Sequence, residues 1–201
     1  MLIYDYIAYI LKQRVVLIRL GSNSQTRADI LKSHNIEFLQ SGSDFDEDSI
    51  DTKDPYKFVK EATLGKYNEC LKLYGDDIPL LVADTVVTAQ GELLRKPKDE
   101  KDAIRILNLQ SGHKTSIITC MVFKQKNKEP FFDISTTTYH FKPFGKSDLE
   151  NYLLSKEWMG KAGGCMVEGF CKKYIKSVDG YESCAMGLTI EKIIPLLKIA
   201  Q

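Results

Sequence analysis

The chain carries no surplus of cationic charge: 28 Lys and Arg stand against 27 Asp and Glu. A general nucleic-acid binder needs such a surplus to displace counterions, so that class is excluded and only a local cationic pocket is left open. The five cysteines (Cys70, Cys120, Cys165, Cys171, Cys184) form no CxxC pair and are odd in number. They read as free thiols in a reducing cytosol, used as small core hydrophobes. Histidines are few and far apart, at His34, His113 and His140, which removes the clustered soft ligands that zinc wants. No apolar run is long enough to span a bilayer. The opening MLIYDYIAYILKQR contains Asp5 and lacks the basic lead of a secretion signal, so a cytoplasmic protein without a membrane partner is expected. Repeats, low-complexity tracts, obvious linkers and the GxxxxGK[ST] phosphate loop are all missing.

What remains is the composition of an ordinary globular protein, 43% hydrophobic and 27% charged over 201 residues. That length supports one domain or two apposed lobes with a core that needs no staples. Val15 to Leu20 reads as a buried strand broken by Gly21-Ser22-Asn23-Ser24, with a helix from Gln25 to Ser33 and a second strand over Ile36 to Leu39. Asp54-Pro55 is a strong helix start, and Gly75 can end that helix near Tyr74. Ile78 to Ala89 is the most strand-like segment. A helix follows over Asp99 to Leu109, then a hairpin of Ser116–Phe123 and Phe131–Phe141. Ser147 can cap a short helix reaching Ser155. Tyr174 to Val178 reads as a last strand and Leu188 to Ile199 as a closing helix. The alternation predicts an α/β fold.

Asp84, inside LLVADTVV, is the clearest anomaly. In a strand it shares a face with Val82 and Val86, and a carboxylate buried there needs a cation, a metal or water as partner. The alternative is a strand emerging at the sheet edge, with Asp84 capping a turn; Val86-Val87 after it speaks against that. The Gly21–Arg27 junction offers small residues, hydroxyls and a helix N-terminus, the means to hold an anion, although a serine N-cap explains much of it. Lys66 follows Ala62 by four residues and Phe58 by eight, in line with an apolar stripe, where a snorkelling lysine is the plain alternative. Lys96 and the acidic run around Glu47 read equally well as solvated loops. The glycine-rich segment Trp158–Gly164, with Lys161, suits a ligand loop or a bend.

In order, these pieces resemble the Maf family of nucleoside triphosphate pyrophosphatases. Its S-x-S-x-x-R pattern is matched by Ser22-Asn23-Ser24-Gln25-Thr26-Arg27, its acidic pair by Asp46-Glu47, and its helix lysine by Lys66 in FVKEATLGK. A-D-T-V-V is matched by Ala83 to Val87, and G-E-x-L-x-K-P by Gly91, Glu92, Leu94, Lys96 and Pro97. K-A-G appears as Lys161-Ala162-Gly163 and the terminal G-L as Gly187-Leu188. The match starts near Val15, so residues 1–14 read as an N-terminal extension and 15–201 as a single domain.

The resemblance implies an elongated mixed β-sheet with flanking helices, two lobes around a nucleotide cleft, similar to inosine triphosphatase folds. It implies hydrolysis of a nucleoside triphosphate to monophosphate and pyrophosphate, a house-cleaning reaction. Asp84 would activate water. Glu47, with Asp84, would hold Mg2+ or Mn2+. Ser22, Arg27, Lys66, Lys96 and Lys161 would bind substrate, and the protein would be a homodimer. Three departures bear on the base. Gln25-Thr26 stands where many members have Pro-Arg, Gly160-Lys161 where they have Asp-Lys, and Val167-Glu168-Gly169 where Ile-Gln-Gly is common. Pyrimidine-type members resemble Arg, Thr, Gln at the specificity positions and 7-methyl-GTP members Trp, Gln, Glu. Thr26, Thr85 and Glu168 mix the two. A second function from another class is a nucleotide-binding regulator of septum formation that needs no turnover.

Overall fold

Three long strands set the dimensions of the molecule. In the computed structural model, which describes residues 16–198, β3 (Leu80–Ala89), β5 (Lys114–Lys124) and β6 (Phe131–Phe141) lie side by side and antiparallel. The apolar residues of β3 and β5 are buried on both faces, because helices cover the sheet there from either side, while Phe132 of β6 is exposed. On one flank β1 (Leu17–Leu20) pairs in parallel with β2 (Glu37–Gln40) and with the start of β3. On the other, β7 (Ile175–Asp179) pairs with the end of β6. A tight turn at Gln90-Gly91, both with positive φ (51° and 80°), sends β4 (Glu92–Leu94) back along the far end of β3. Two left-handed residues are what a two-residue hairpin demands. The result is a seven-stranded mixed sheet in the order β2-β1-β3-β5-β6-β7, with β4 on β3, within the α/β class expected.

One detail of register creates the site. β1 keeps company with β3 only as far as Leu81, and β4 pairs with β3 only from Val87 onward. Between them, from Val82 to Val86, that edge of β3 has no strand beside it.

Helices α1 (Gln25–Ser33), α2 (Pro55–Tyr74), α3 (Glu100–Gln110), α4 (Lys146–Ser155), α5 (Glu182–Ala185) and α6 (Ile190–Lys198) flank the sheet. The Asp54 carboxylate accepts from the backbone N–H of Tyr56 and Lys57 at 2.8 and 3.1 Å. Pro55 opens α2, and Gly75, at φ 68°, closes it, as the sequence predicts. Asp99 caps α3 in the same way. Ser147 does not cap α4: it lies inside the first turn, and Gly145 at the cap position donates its N–H to the Tyr174 hydroxyl at 2.9 Å. β4 and α5, at three and four residues, are too short for periodicity to reveal. The expected extension over 1–14, Val15 of the first strand and the end of the closing helix at Ile199 lie outside the described residues.

Two cores form at opposite ends of the long strands. Ile18, Leu20, Leu31, Leu81, Met121 and Ile193 build one, and Val87, Leu94, Ile106, Leu107, Tyr139, Phe141 and Trp158 the other. α2 lies across the middle, burying Phe58, Val59 and Ala62 against Val86, Ile118 and Cys120. These are two lobes sharing one sheet. Among the described residues no helix is long and apolar enough to cross a membrane.

The cysteines depart from the expectation of five free thiols. Cys165 and Cys171 are joined in a disulfide, while Cys70, Cys120 and Cys184 are free and buried. The chain turns back on itself between the pair, where the Gly169 N–H reaches the Met166 carbonyl at 3.1 Å. That turn brings the two Cα atoms to 6.7 Å, within bridging reach.

Gly65 is where the acidic segment docks on α2. A Cβ there would stand 2.2 Å from the Phe45 ring, so the ring lies directly on the helix backbone and holds the turn that begins at Glu47.

Two outcomes follow. Alkylation of the unfolded chain should label three cysteines without reductant and five with it, by mass; five labelled without reductant would deny the bridge. Gly65→Ala should lower stability in urea, because a clash costing ~1–3 kcal/mol outweighs a helix-propensity gain of ~1 kcal/mol. In a Phe45→Ala background the same substitution should stabilise.

Candidate active site

Asp84 sits on the face of β3 that carries Val82 and Val86 and looks toward α2. It is 6% exposed. Lys66, in the same stripe of α2 as Phe58 and Ala62, donates from its ammonium to Asp84 Oδ1 at 2.5 Å and to Glu47 Oε1 at 2.6 Å. Glu47 reaches this point because Phe45 is seated on Gly65. The Asp46 carboxylate then caps the short turn Glu47–Ser49 by accepting from the Asp48 N–H at 2.9 Å. The carboxylate that looked anomalous in the sequence therefore has a cation, and one cation serves two carboxylates. Deleting one member of such a shielded pair leaves the other uncompensated, typically at ~3–5 kcal/mol.

A second clamp occupies the opposite face of β3. Arg27, in the first turn of α1, donates to the Gly187 carbonyl at 2.7 Å, Ser22 Oγ at 2.9 Å and Thr85 Oγ1 at 3.1 Å. Thr85 is hydrogen-bonded in turn to Thr119 at 2.9 Å, which donates to the Cys184 carbonyl at 2.7 Å. Gly187 has φ 98°, and a Cβ there would lie 3.2 Å from Arg27 Nε. The close approach of backbone to guanidinium thus requires glycine. Burial pulls the Arg27 pKa down, against the opposing charges of Asp84 and Glu47; a guanidinium remains charged all the same.

The turn before α1 is fixed from several sides. Ser22 Oγ accepts from the Ser24 N–H at 3.2 Å, Gln40 donates to the Ser22 carbonyl at 3.0 Å, and Asn23 Oδ1 accepts from the Gly42 N–H at 3.2 Å. Ser24 caps α1 by accepting from the Arg27 N–H. Across from this turn the connection from β4 to α3 presents Arg95, Lys96 and Lys98, all exposed.

These pieces enclose a cleft of about 800 Å3, within the range of small-molecule sites. Its floor is the uncovered edge of β3 and its walls come from both lobes. Of the residues singled out in the sequence, Ser22, Arg27, Glu47, Lys66, Asp84, Thr85 and Lys96 line it together. Thr26, Lys161 and Glu168 are not among the lining residues. Thr26 is half-buried in the first turn of α1, and Lys161 is half-buried next to Ala162, which does line the cleft. Glu168 is exposed on the turn closed by the disulfide. Its charge, with that of Glu182, adds to the burial that pushes the Tyr139 phenol up to about 12.

Sequence reasoning missed Phe45, Asp48, Arg95 and Lys98, which also line the cleft. The signals were present: a lone aromatic within the acidic run, and the cationic run Arg95-Lys96-Pro97-Lys98.

For a metal, no group of three His, Cys, Asp or Glu converges among the described residues. What the site provides is a carboxylate pair, Glu47 and Asp84, close enough to share one ammonium. That suits a hard divalent cation of the Mg2+ type, which binds through one or two carboxylates and completes its shell with water and substrate phosphate.

Comparison with known proteins shows the family. The Maf-like protein family pattern matches residues 17–200. A nucleoside triphosphate pyrophosphatase of a Nitratiruptor species is 52% identical over 184 residues, covering 90% of this chain and 99% of that protein. One of the same description from Helicobacter pylori (strain Shi470) is 37% identical over 180 residues, covering 90% and 94%. Among solved structures, the Ham1 protein of Staphylococcus aureus overlaps 62% of this chain and 71% of its own, at a TM-score of 0.45 and 12% identity. With nearly its whole described length matched and half its residues shared with a curated relative, the chain belongs to the Maf-like family.

Proposed function

We propose that this protein hydrolyses a nucleoside triphosphate to the nucleoside monophosphate and pyrophosphate in the cleft between its lobes. The observation that carries the reading is the buried Asp84 carboxylate, held by Lys66 at the uncovered edge of β3 and facing a cleft that Arg27, Arg95, Lys96 and Lys98 also line. The names of the relatives support it. So does the need to account for Asp84, since a protein that only bound nucleotide would have no use for a buried carboxylate poised against lysine.

In the proposed reaction Asp84 orients a water molecule and accepts its proton as the oxygen attacks the α-phosphorus. The new P–O bond forms while the bond to the bridging oxygen of the β-phosphate breaks, and pyrophosphate departs with that oxygen. Arg27, Lys66 and Lys96 neutralise negative charge on the phosphates, the term that dominates phosphoryl transfer. Ser22 and the N-terminus of α1 add hydrogen-bond donors, and Lys161 lies one residue from the cleft wall to assist. Glu47 and Asp84 would hold Mg2+ or Mn2+, which when bound supplies further neutralisation of the phosphate oxygens. With those carboxylates so engaged, Lys66 would be free to turn its ammonium to the substrate phosphates.

The proposed base is a pyrimidine or a modified purine. Thr85 presents its hydroxyl in an orientation fixed by Arg27 and Thr119, and Thr26 stands one residue before Arg27. Glu168, exposed and anionic, favours a base with a fixed positive charge such as 7-methylguanine, because opposite charges strengthen a hydrogen bond.

Asp84→Asn should lower pyrophosphate release by ~10²–10⁴, the usual worth of a positioned acid–base group, with triphosphate affinity changed only a few-fold. Near-wild-type turnover in that variant would remove Asp84 from the reaction, and binding without any turnover in the wild type would favour a nucleotide-sensing regulator. Glu168→Gln should reduce kcat/KM for 7-methyl-GTP relative to UTP by about tenfold, a difference of ~1.4 kcal/mol. An unchanged ratio would take Glu168 out of base selection.

A further inference from the structure

Arg95 differs from the other cations of the cleft arm in being held. Its guanidinium lies over the Phe58 ring, 5.2 Å from the centroid, and forms an ion pair with Asp48 at 2.9 Å. Its own carbonyl accepts from the Gly163 N–H at 3.2 Å, which ties its backbone to the glycine turn on the far lobe. Phe58 is buried in the opening turns of α2, so the stacking partner is immobile. Asp48 belongs to the acidic turn that also carries Glu47. The side chain therefore reaches from the connection after β4 to α2 and the acidic turn, over the cleft that Arg95 and Asp48 both line.

We infer that Arg95 is a further phosphate-binding residue, which exchanges Asp48 for the phosphate chain of the incoming nucleotide; this rests on the triphosphate reading of the cleft given above. Three features support the exchange. The ion pair is solvent-exposed, with Asp48 at 82% and Arg95 at 48%, and pairs of that kind are worth only ~0–1 kcal/mol. A phosphate chain offers the guanidinium the same planar, two-point recognition as a carboxylate, with more charge. The seat over the buried Phe58 ring restrains the guanidinium, so little side-chain freedom remains to be lost when a ligand replaces Asp48. Lys98, exposed beside it, has no comparable seat. Asp48 then acts as an internal placeholder that keeps the guanidinium aimed across the cleft and must be displaced.

A placeholder and a structural ion pair predict opposite signs, which makes the test decisive. Binding of inorganic tripolyphosphate, followed by calorimetry, needs no turnover. Arg95→Gln should weaken it about tenfold, Arg95→Lys less, and Asp48→Asn should tighten it two- to fivefold by removing the competitor. KM for the nucleoside triphosphate should move in the same directions with kcat within twofold, and melting temperatures should stay together. Equal weakening by Arg95→Gln and Asp48→Asn, or an Arg95→Gln effect below twofold, would overturn the inference. Failure of the catalytic reading gives a different result: no pyrophosphate release from the wild type while tripolyphosphate binding still follows the expected signs.

Discussion

A carboxylate in the middle of a strand buried on both faces has to be compensated, and here the compensation fixes the relative placement of three separate pieces of chain. Lys66 can meet Asp84 only if α2 lies across β3 at this height. Glu47 can share the ammonium only if the acidic turn is drawn down onto the same helix. The second condition is met by packing, since Gly65, next in sequence to Lys66, is the flat place on α2 where the Phe45 ring sits. An electrostatic requirement at Asp84 is thus satisfied through a glycine and an aromatic ring that carry no charge.

Asp84 and Thr85 are neighbours, so the pleat sends them to opposite faces of the sheet. In a continuous sheet the two would never serve one ligand. Here both line one cleft, because β1 leaves β3 at Leu81 and β4 joins only at Val87, which exposes the strand edge between the faces. Lys66 with Glu47 guards one face of that edge, and Arg27 with Ser22 and Gly187 guards the other. The adjacency of A-D-T in the sequence is the linear trace of a site that straddles an edge.

Much of this was readable before any coordinates. Asp54-Pro55 and Gly75 bound α2 because capping chemistry is local, and Asp84 stood out because a charge among alternating valines violates burial. What escaped depends on contacts distant in the chain. β4 and α5 are too short to have a period. Ser147 lost its expected capping role because the Tyr174 hydroxyl, far along the chain, serves Gly145 instead. Cys165 and Cys171 have unremarkable spacing until the turn at Gly169 brings them together. Arg95 stands in the sequence simply as a member of the run Arg95-Lys96-Pro97-Lys98, and only Phe58 and Asp48 distinguish it. Local chemistry was legible; seats provided by remote partners were not.

Charge balance constrains the proposed reaction further. The cleft is lined by five cations, Arg27, Lys66, Arg95, Lys96 and Lys98, and by four acids, Asp46, Glu47, Asp48 and Asp84. Two of the five cations already hold acids, so a bare triphosphate entering this cleft would meet Arg27 and the two exposed lysines as uncommitted charge, and Lys66 and Arg95 could join them only by leaving their acids. Binding has to break the internal pairs, and each broken pair leaves acids facing a polyanion unless another cation takes them over. Glu47 and Asp84 therefore make chemical sense as ligands in the proposed enzyme only when a divalent cation accompanies the nucleotide. In the proposed enzyme the acids that pair with the cleft's own cations would then favour a metal-complexed substrate over the free one, since free triphosphate would have to face the released carboxylates uncompensated.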